Sequence, residues 1–505
     1  MQITRLITAG VATLLSLGQA TLPAVASTPD AAPADAIHWR LCDGSQLRGA
    51  SCGSVTVPLD WAAADSRTIR IAVARVPASG SPDERIGVLM FNPGGPGSPG
   101  LPMLTTVASW LPPDVRARFD LVTWDPRGVD QSGPRVDLCP AGQRTTPPAT
   151  GPVDWAALAA STFDERATEM TDCLTARSSA APYLGTWFGV RDLDAIRRAL
   201  GERQITLWGM SYGTTIGRAY AQQSPSRVRA MVLDGAIDPA STAGSYAREQ
   251  ISAASTGMAR MTVWLGPRSR ATLRRVQAAL DQRVITAPDG RTVTRWNLTD
   301  TLLNSIPDQA SWPDTRDLLR AFRVALFDRD AGQRERAAEL LADAFPSNDS
   351  TSLDAFTAFV DCADLPGRLT AADASTITAQ AADVGGILNG VAAMTAAVTC
   401  AGIPADLGRS LPRTAAISLP TPPIIVNSIA DPRTPWAGAR AAANIFTGSV
   451  MISYDSAEHI SWLRTRSACI NDSVTAYVTT RRLPAHDLAC SFAADRSLLS
   501  RQAMR

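Results

Sequence analysis

The stretch Ile205-Thr206-Leu207-Trp208-Gly209-Met210-Ser211-Tyr212-Gly213-Thr214 decides how the rest of this 505-residue chain is read. It is a short apolar run, a turn with one serine between two glycines, and the start of a helical pattern continued by Ile216, Ala219 and Tyr220. A G-x-S-x-G turn between strand and helix is a nucleophile elbow. The sharp turn lifts the serine hydroxyl clear of a sheet, and the helix behind it aims backbone N–H groups at the charge that develops during attack. Glycine is needed on either side because a Cβ there would strike the neighbouring strand or helix. The motif alone also occurs in ordinary glycine-rich turns. Its setting therefore carries three further expectations: a glycine loop upstream, then an acid and a histidine downstream, in that order.

Upstream, Ile86-Gly87-Val88-Leu89-Met90-Phe91 is a continuous apolar run, as in a strand buried on both faces. It ends in Asn92-Pro93-Gly94-Gly95-Pro96-Gly97-Ser98. Gly94 and Gly95 let the backbone approach a substrate closely. One of their N–H groups and that of Tyr212 are the expected oxyanion donors, and losing such a donor costs about 3–4 kcal/mol. Downstream, an apolar run at 424–427 leads to Asp431-Pro432-Arg433-Thr434-Pro435, and another at 450–454 leads to Asp455-Ser456-Ala457-Glu458-His459. The order Ser211, Asp431, His459 is the one the elbow requires. Ser211 would attack a carbonyl, His459 would carry its proton to the leaving group, and Asp431 would hold the imidazole tautomer. The chain has only three histidines. His38 lies too early, and His486 follows Arg481-Arg482 with no acid-bearing strand set up before it. Asp455 and Asp234 are rivals to Asp431. Asp431 fits better because its strand immediately precedes that of the histidine.

Strand candidates at 54–57 and 69–76 suit an antiparallel edge. Others at 119–125 and 227–233 flank the amphipathic helix pattern of 191–201, on which Leu193, Ile196 and Leu200 share one face. Strands alternating with helices indicate a mainly parallel α/β sheet. Between about 240 and 411 the strand signals fade. Leu273, Val276 and Leu280 share one helix face, as do Leu318, Phe322 and Ala325. The expected organisation is a core of 40–239 and 412–505 with a helical cap of 240–411 inserted into it.

Composition narrows the function classes. There are 48 basic and 47 acidic residues, a net charge of +1, so nothing electrostatic favours nucleic acid or an anionic membrane. Every basic residue is arginine, which excludes Schiff-base lysines and the P-loop lysine. H-E-x-x-H and C-x-x-C are both missing, so neither a built-in metal nor another cofactor is expected. Residues 1–26 read as a signal peptide: Arg5, an apolar run from Leu6 to Leu17, then Ala24-Val25-Ala26. Residues 27–39 read as a flexible lead-in to a secreted chain. The most apolar later stretch, 385–403, is interrupted by Asn389, Thr395 and Thr399, so no membrane insertion is expected. Eight cysteines in an oxidising compartment point to disulfides. Neighbour pairing (42–52, 139–173, 362–400, 469–490) is expected because each pair closes a local loop.

The glycine loop 92–97, Asp125-Pro126-Arg127-Gly128, the elbow, Val232-Leu233-Asp234-Gly235 and Asp431-Pro432-Arg433-Thr434-Pro435 together resemble the secreted tripeptidyl aminopeptidases of actinomycetes. These are relatives of proline iminopeptidase with the α/β-hydrolase fold, and the resemblance runs from about residue 52 to 490. It implies a serine exopeptidase that releases short peptides, tripeptides first among them, from peptide or protein substrates; a monomer is expected. The same core motifs are compatible with a secreted carboxylesterase. A catalytically silent domain that binds a partner is a third reading, opposed by the intact set of nucleophile, acid, base and glycine loop. An aminopeptidase needs a fixed anion for the substrate amine, spending binding energy away from the scissile bond. Asp361 and Asp364, in Val360-Asp361-Cys362-Ala363-Asp364, are the candidates, with Glu249 third.

Overall fold

The computed structural model describes residues 36–44, 47–134, 147–177, 179–345, 355–412 and 415–491. The signal-peptide segment, most of the lead-in and Cys139 lie outside them. In chain order the strands are β1 (Arg40–Leu41), β2 (Ser51–Pro58), β3 (Thr68–Val76), β4 (Gly87–Asn92), β5 (Phe119–Trp124), β6 (Ile205–Met210), β7 (Val228–Asp234), β8 (Ile285–Thr286), β9 (Thr292–Val293), β10 (Ile424–Ser428), β11 (Val450–Asp455) and β12 (Leu488–Ser491). Ten of them form one sheet in the order β1-β2-β3-β5-β4-β6-β7-β10-β11-β12. From β5 to β12 every pairing is parallel, and β1, β2 and β3 make the antiparallel edge.

The continuous apolar runs explain why the parallel strands sit centrally. Every residue of β4, β5, β6 and β10 is buried. Alternate side chains enter two separate cores. Val88, Met90, Leu207 and Ile425 pack on one face; Leu89, Phe91, Trp208, Met210, Ile424 and Val426 pack on the other. A strand with only one buried face would alternate with polar residues instead. The expected helix near 191–201 spans Thr186–Ala199 and covers the first face beside Gly213–Gln223.

The insertion is helical, as expected, apart from the small β8–β9 hairpin. Its longest helix, Ala243–Leu280, breaks at Gly266 (φ 80°) before Pro267, because proline removes an internal N–H and its ring clashes with the preceding turn. The starts of Ala243–Leu280, Arg295–Ser305 and Ala371–Ala397 carry reciprocal capping boxes at Thr242/Ser245, Thr294/Asn297 and Thr370/Asp373. The helical layer also takes in Trp155–Arg177, from within the stretch read as core. Ser375 donates to Ala156 O at 2.5 Å. A Cβ on Gly390 would lie 2.7 Å from the Trp155 ring. The layer's apolar centre includes Ala430 and Ala457 from the loops after β10 and β11, which seats the insertion on the strand ends.

Cys42–Cys52, Cys362–Cys400 and Cys469–Cys490 are disulfides. Cys173 is also disulfide-bonded; its expected partner is the undescribed Cys139. Among the described residues no helix is long and apolar enough to cross a membrane.

Candidate active site

Parallel α/β sheets bind ligands beyond the carboxyl ends of their strands, and the candidate residues gather there. Ser211 follows β6 with φ 54°, a left-handed conformation that a non-glycine residue adopts only under constraint. The constraint is visible on both sides. Ser211 N donates to Asp234 O at 2.8 Å, and Thr214 N donates back to Ser211 O at 2.9 Å. A Cβ on Gly209 would lie 2.3 Å from Gly213 O, and one on Gly213 would lie 2.7 Å from Asn92 O. The two glycines of the motif are therefore steric requirements.

The upstream loop lies against the elbow. Gly94 has φ 93°, and a Cβ there would lie 2.5 Å from Met210 O, 2.9 Å from Ser211 Cβ and 3.0 Å from Tyr212 N. Asn92 Oδ1 accepts from Gly94 N at 3.0 Å. Gly94, Tyr212 and the serine are therefore brought together, and Gly95, next in the loop, lines the cavity described below.

Asp431 follows β10 and His459 follows β11. His459 Nδ1 is 3.0 Å from both carboxylate oxygens of Asp431. Asp431 Oδ1 also accepts from Arg433 N at 2.8 Å and Thr434 N at 2.9 Å, and Oδ2 accepts from Thr434 Oγ1 at 2.9 Å. A Cβ on Gly235 would lie 3.2 Å from His459 Cε1, so this glycine makes room for the imidazole. Among the described residues the Ser211 hydroxyl makes no hydrogen bond; nucleophile–base contacts in free enzymes often close only when substrate arrives.

The rival residues have other partners. Asp234 is fully buried and accepts from Ser461 N and Trp462 N, both at 2.9 Å, so it braces the chain just beyond His459. Asp455 pairs with Arg260. His38 and His486 are exposed. Arg127, from another motif of the resemblance, is buried in a two-pronged ion pair with Asp192 at 2.7 and 2.6 Å and takes no part in the site.

The insertion grips the histidine loop. His459 N donates to Pro307 O at 2.9 Å, Gln309 Nε2 donates to Ser456 Oγ at 2.7 Å, and Gln309 N donates to Glu458 Oε2 at 2.9 Å. Burial pushes the Glu458 carboxyl up to about 7, and it likewise pushes Asp234 up to about 7. An unfolded glutamate titrates near 4.3. The folded chain thus holds the Glu458 proton more tightly than the unfolded chain. Stability present below about pH 4 is lost as pH rises through about 7. Glu458→Gln removes this loss, so the variant's unfolding midpoint should rise relative to the wild type between about pH 4 and 7. A midpoint difference that stays constant across that window would contradict the burial account.

A cavity of about 290 Å³ lies between insertion and core. Its wall includes Gly95, Pro432 and Arg433 from the site loops, and Tyr246, Asp300 and Asp361 from the insertion. Of the three acids expected to read an amine, only Asp361 lines it. Asp364 is turned to Tyr212, whose hydroxyl donates to it at 2.6 Å. Glu249 takes the Ser241 hydroxyl at 2.9 and 3.1 Å. Asp300 and Tyr246 were not expected here. Their only sequence signal is a place in the insertion, which many other residues share.

Strand order, elbow, glycine loop and the acid–histidine pair define an α/β-hydrolase built for serine chemistry. The sequence matches the family described as "alpha/beta hydrolase fold" over residues 87–280 and the family described as "TAP-like protein" over residues 387–490. It is 30% identical over 501 residues, 93% of each chain, to carboxylesterase B of Mycobacterium tuberculosis. The chain belongs to the α/β-hydrolase family. It is also 38% identical over 210 residues to serine protease Hip1 of M. tuberculosis, covering 40% of each chain. With the tripeptidyl aminopeptidase of Streptomyces lividans it shares 36% identity over 208 residues, 40% of this chain and 38% of that one. These two alignments span about two fifths of the peptidases' own length.

Proposed function

We propose that this chain is a secreted serine exopeptidase that releases short peptides, tripeptides first among them, from free N-termini. Ser211 is the nucleophile, His459 the general base and acid, and Asp431 the group that orients His459. The N–H groups of Tyr212 and of Gly94 or Gly95 receive the oxyanion. The disulfides fit an exported protein.

The observation that carries the peptidase reading is the state of Asp361. It lines the cavity, and no described cation or hydrogen-bond donor meets its carboxylate. Burial, and then the charge of Asp364, raise that carboxyl well above its usual range. Asp361 is half-buried; an unpaired carboxylate so placed is costly, and a substrate ammonium would relieve the cost. Asp300 on the same wall adds negative potential. The cavity volume lies at the lower end of small-ligand pockets, which suits a short peptide and not a long chain.

The alternative is a carboxylesterase using the same triad. Its support is the relative of that name, aligned over nearly the whole of both chains. A tripeptide anilide with its N-terminus free and then acetylated separates the two. The peptidase reading expects turnover of the free form only, with Asp361→Asn raising KM on the order of 30-fold or more, as for losing one partner of a buried charge pair. Equal turnover of both forms, or turnover of simple esters alone, would select the esterase.

A further inference from the structure

The Ala355–Asp364 helix of the insertion touches both halves of the proposed oxyanion hole. Thr357, Asp361 and Asp364 stand at i, i+4 and i+7, which puts them on one helix face over about 10 Å. Thr357 Oγ1 donates to Pro96 O at 2.9 Å, in the loop that carries Gly94 and Gly95. Beside it, a Cβ on Gly97 would lie 2.8 Å from the Phe356 ring. At the other end, Asp364 Oδ2 accepts from the Tyr212 hydroxyl at 2.6 Å and from Thr186 Oγ1 at 2.6 Å; Oδ1 accepts from Thr186 N at 3.1 Å. The Tyr212 and Thr186 hydroxyls also contact each other. Burial raises the Asp364 carboxyl, and its hydrogen bonds from Thr186 and Tyr212 and the charge of the buried Arg218 oppose that rise. The Cys362–Cys400 disulfide ties the helix to the end of the insertion.

We propose that this helix positions the oxyanion hole, Asp364 acting through the Tyr212 side chain and Thr357 through Pro96. Neither residue touches the reacting atoms. Tyr212 supplies one oxyanion N–H from its backbone while its ring is anchored in the insertion. The strained Ser211-Tyr212 turn needs outside support to hold its shape, and Asp364 supplies it from 152 residues away in sequence. Thr357 gives the glycine loop the same kind of anchor. Between the two anchors lies Asp361, so the face that would read the substrate also aligns the donors that stabilise its transition state. A displacement of about 1 Å in such donors can cost on the order of 100-fold in rate.

The inference rests on the reading of Ser211 as nucleophile, and not on the choice of peptide over ester. It is tested on the full chain with p-nitrophenyl acetate, whose small acyl group leaves the cavity largely unused. Asp364→Asn, Thr357→Val, Tyr212→Phe and the double variant Asp364→Asn/Tyr212→Phe are compared for kcat, KM and inhibition by phenylboronic acid, which mimics the tetrahedral state. The expected result is a kcat reduced about 10- to 100-fold in Asp364→Asn, KM unchanged, and boronate affinity weakened in parallel. Thr357→Val should show the same split, and the double variant should be no worse than the poorer single one. Unchanged kcat in Asp364→Asn and Thr357→Val would overturn the proposal. So would a loss that falls on KM, or losses that multiply in the double variant. If wild-type ester turnover does not depend on Ser211, the nucleophile reading and this inference both fall. If it does, but no peptide is cleaved, only the peptidase reading falls.

Discussion

Ser211→Ala is expected to lower kcat by about 10⁶-fold and to leave the thermal unfolding midpoint where it was. The two halves of that expectation have separate causes. The hydroxyl is the atom that would become acylated, and nothing else in the site can replace it. Its loss costs the fold little, because it makes no hydrogen bond among the described residues. The constraints on the turn are backbone contacts, Ser211 N to Asp234 O and Thr214 N to Ser211 O. Alanine keeps those contacts and the same Cβ. Activity measured against midpoint on one preparation checks both halves. A residual rate within about 100-fold of the wild type, far above what a lost nucleophile leaves, would mean that Ser211 is not the attacking group.

Asp431→Asn should cost about 10⁴-fold in kcat, with a smaller loss of stability, about 1–3 kcal/mol. Five donor contacts converge on this carboxylate: two backbone N–H groups on Oδ1, the Thr434 hydroxyl on Oδ2, and His459 Nδ1 shared by both oxygens. The backbone donors cannot move, so an asparagine must give them its oxygen. Its NH2 group then takes the place of Oδ2. There it faces Thr434 Oγ1, which can turn to accept, and His459 Nδ1, which must become an acceptor. That forces the imidazole proton onto Nε2, the nitrogen that has to receive the serine proton. The variant would therefore be folded but hold the wrong tautomer. Measuring kcat beside the unfolding midpoint separates this outcome from simple unfolding.

The parts legible in the sequence are those that local pattern controls. Continuous apolar runs mark β4, β5, β6 and β10 because these strands are buried on both faces. The chain order of elbow, acid and histidine was legible because each candidate follows its own strand. Three of the neighbour disulfides could be anticipated because each closes a local loop. The helix Trp155–Arg177 was not read, and its apolar residues follow no clear stripe. Four-residue β12, half-exposed, and the two-residue strands of the hairpin are too short to show a period.

The binding side was harder. In the sequence Asp361 and Asp364, three residues apart, are equivalent candidates for reading an amine. The structure separates them, one on the cavity wall and the other bound to Tyr212 and Thr186. Contacts that span 152 and 178 residues leave no trace in local spacing. Glu249 was a plausible acid on a cap helix, but Ser241 already holds it. Asp234 was a rival because it occupies the right kind of strand end, and only its two partners, Ser461 N and Trp462 N, reveal it as a brace.

The most direct test of the central claim is covalent labelling with a fluorophosphonate, which reacts with activated serines, followed by peptide mapping of the modified protein. One phosphonylated residue is expected, Ser211, with labelling lost in Ser211→Ala and strongly slowed in His459→Ala. An unlabelled protein, or a label on any other serine, would contradict it.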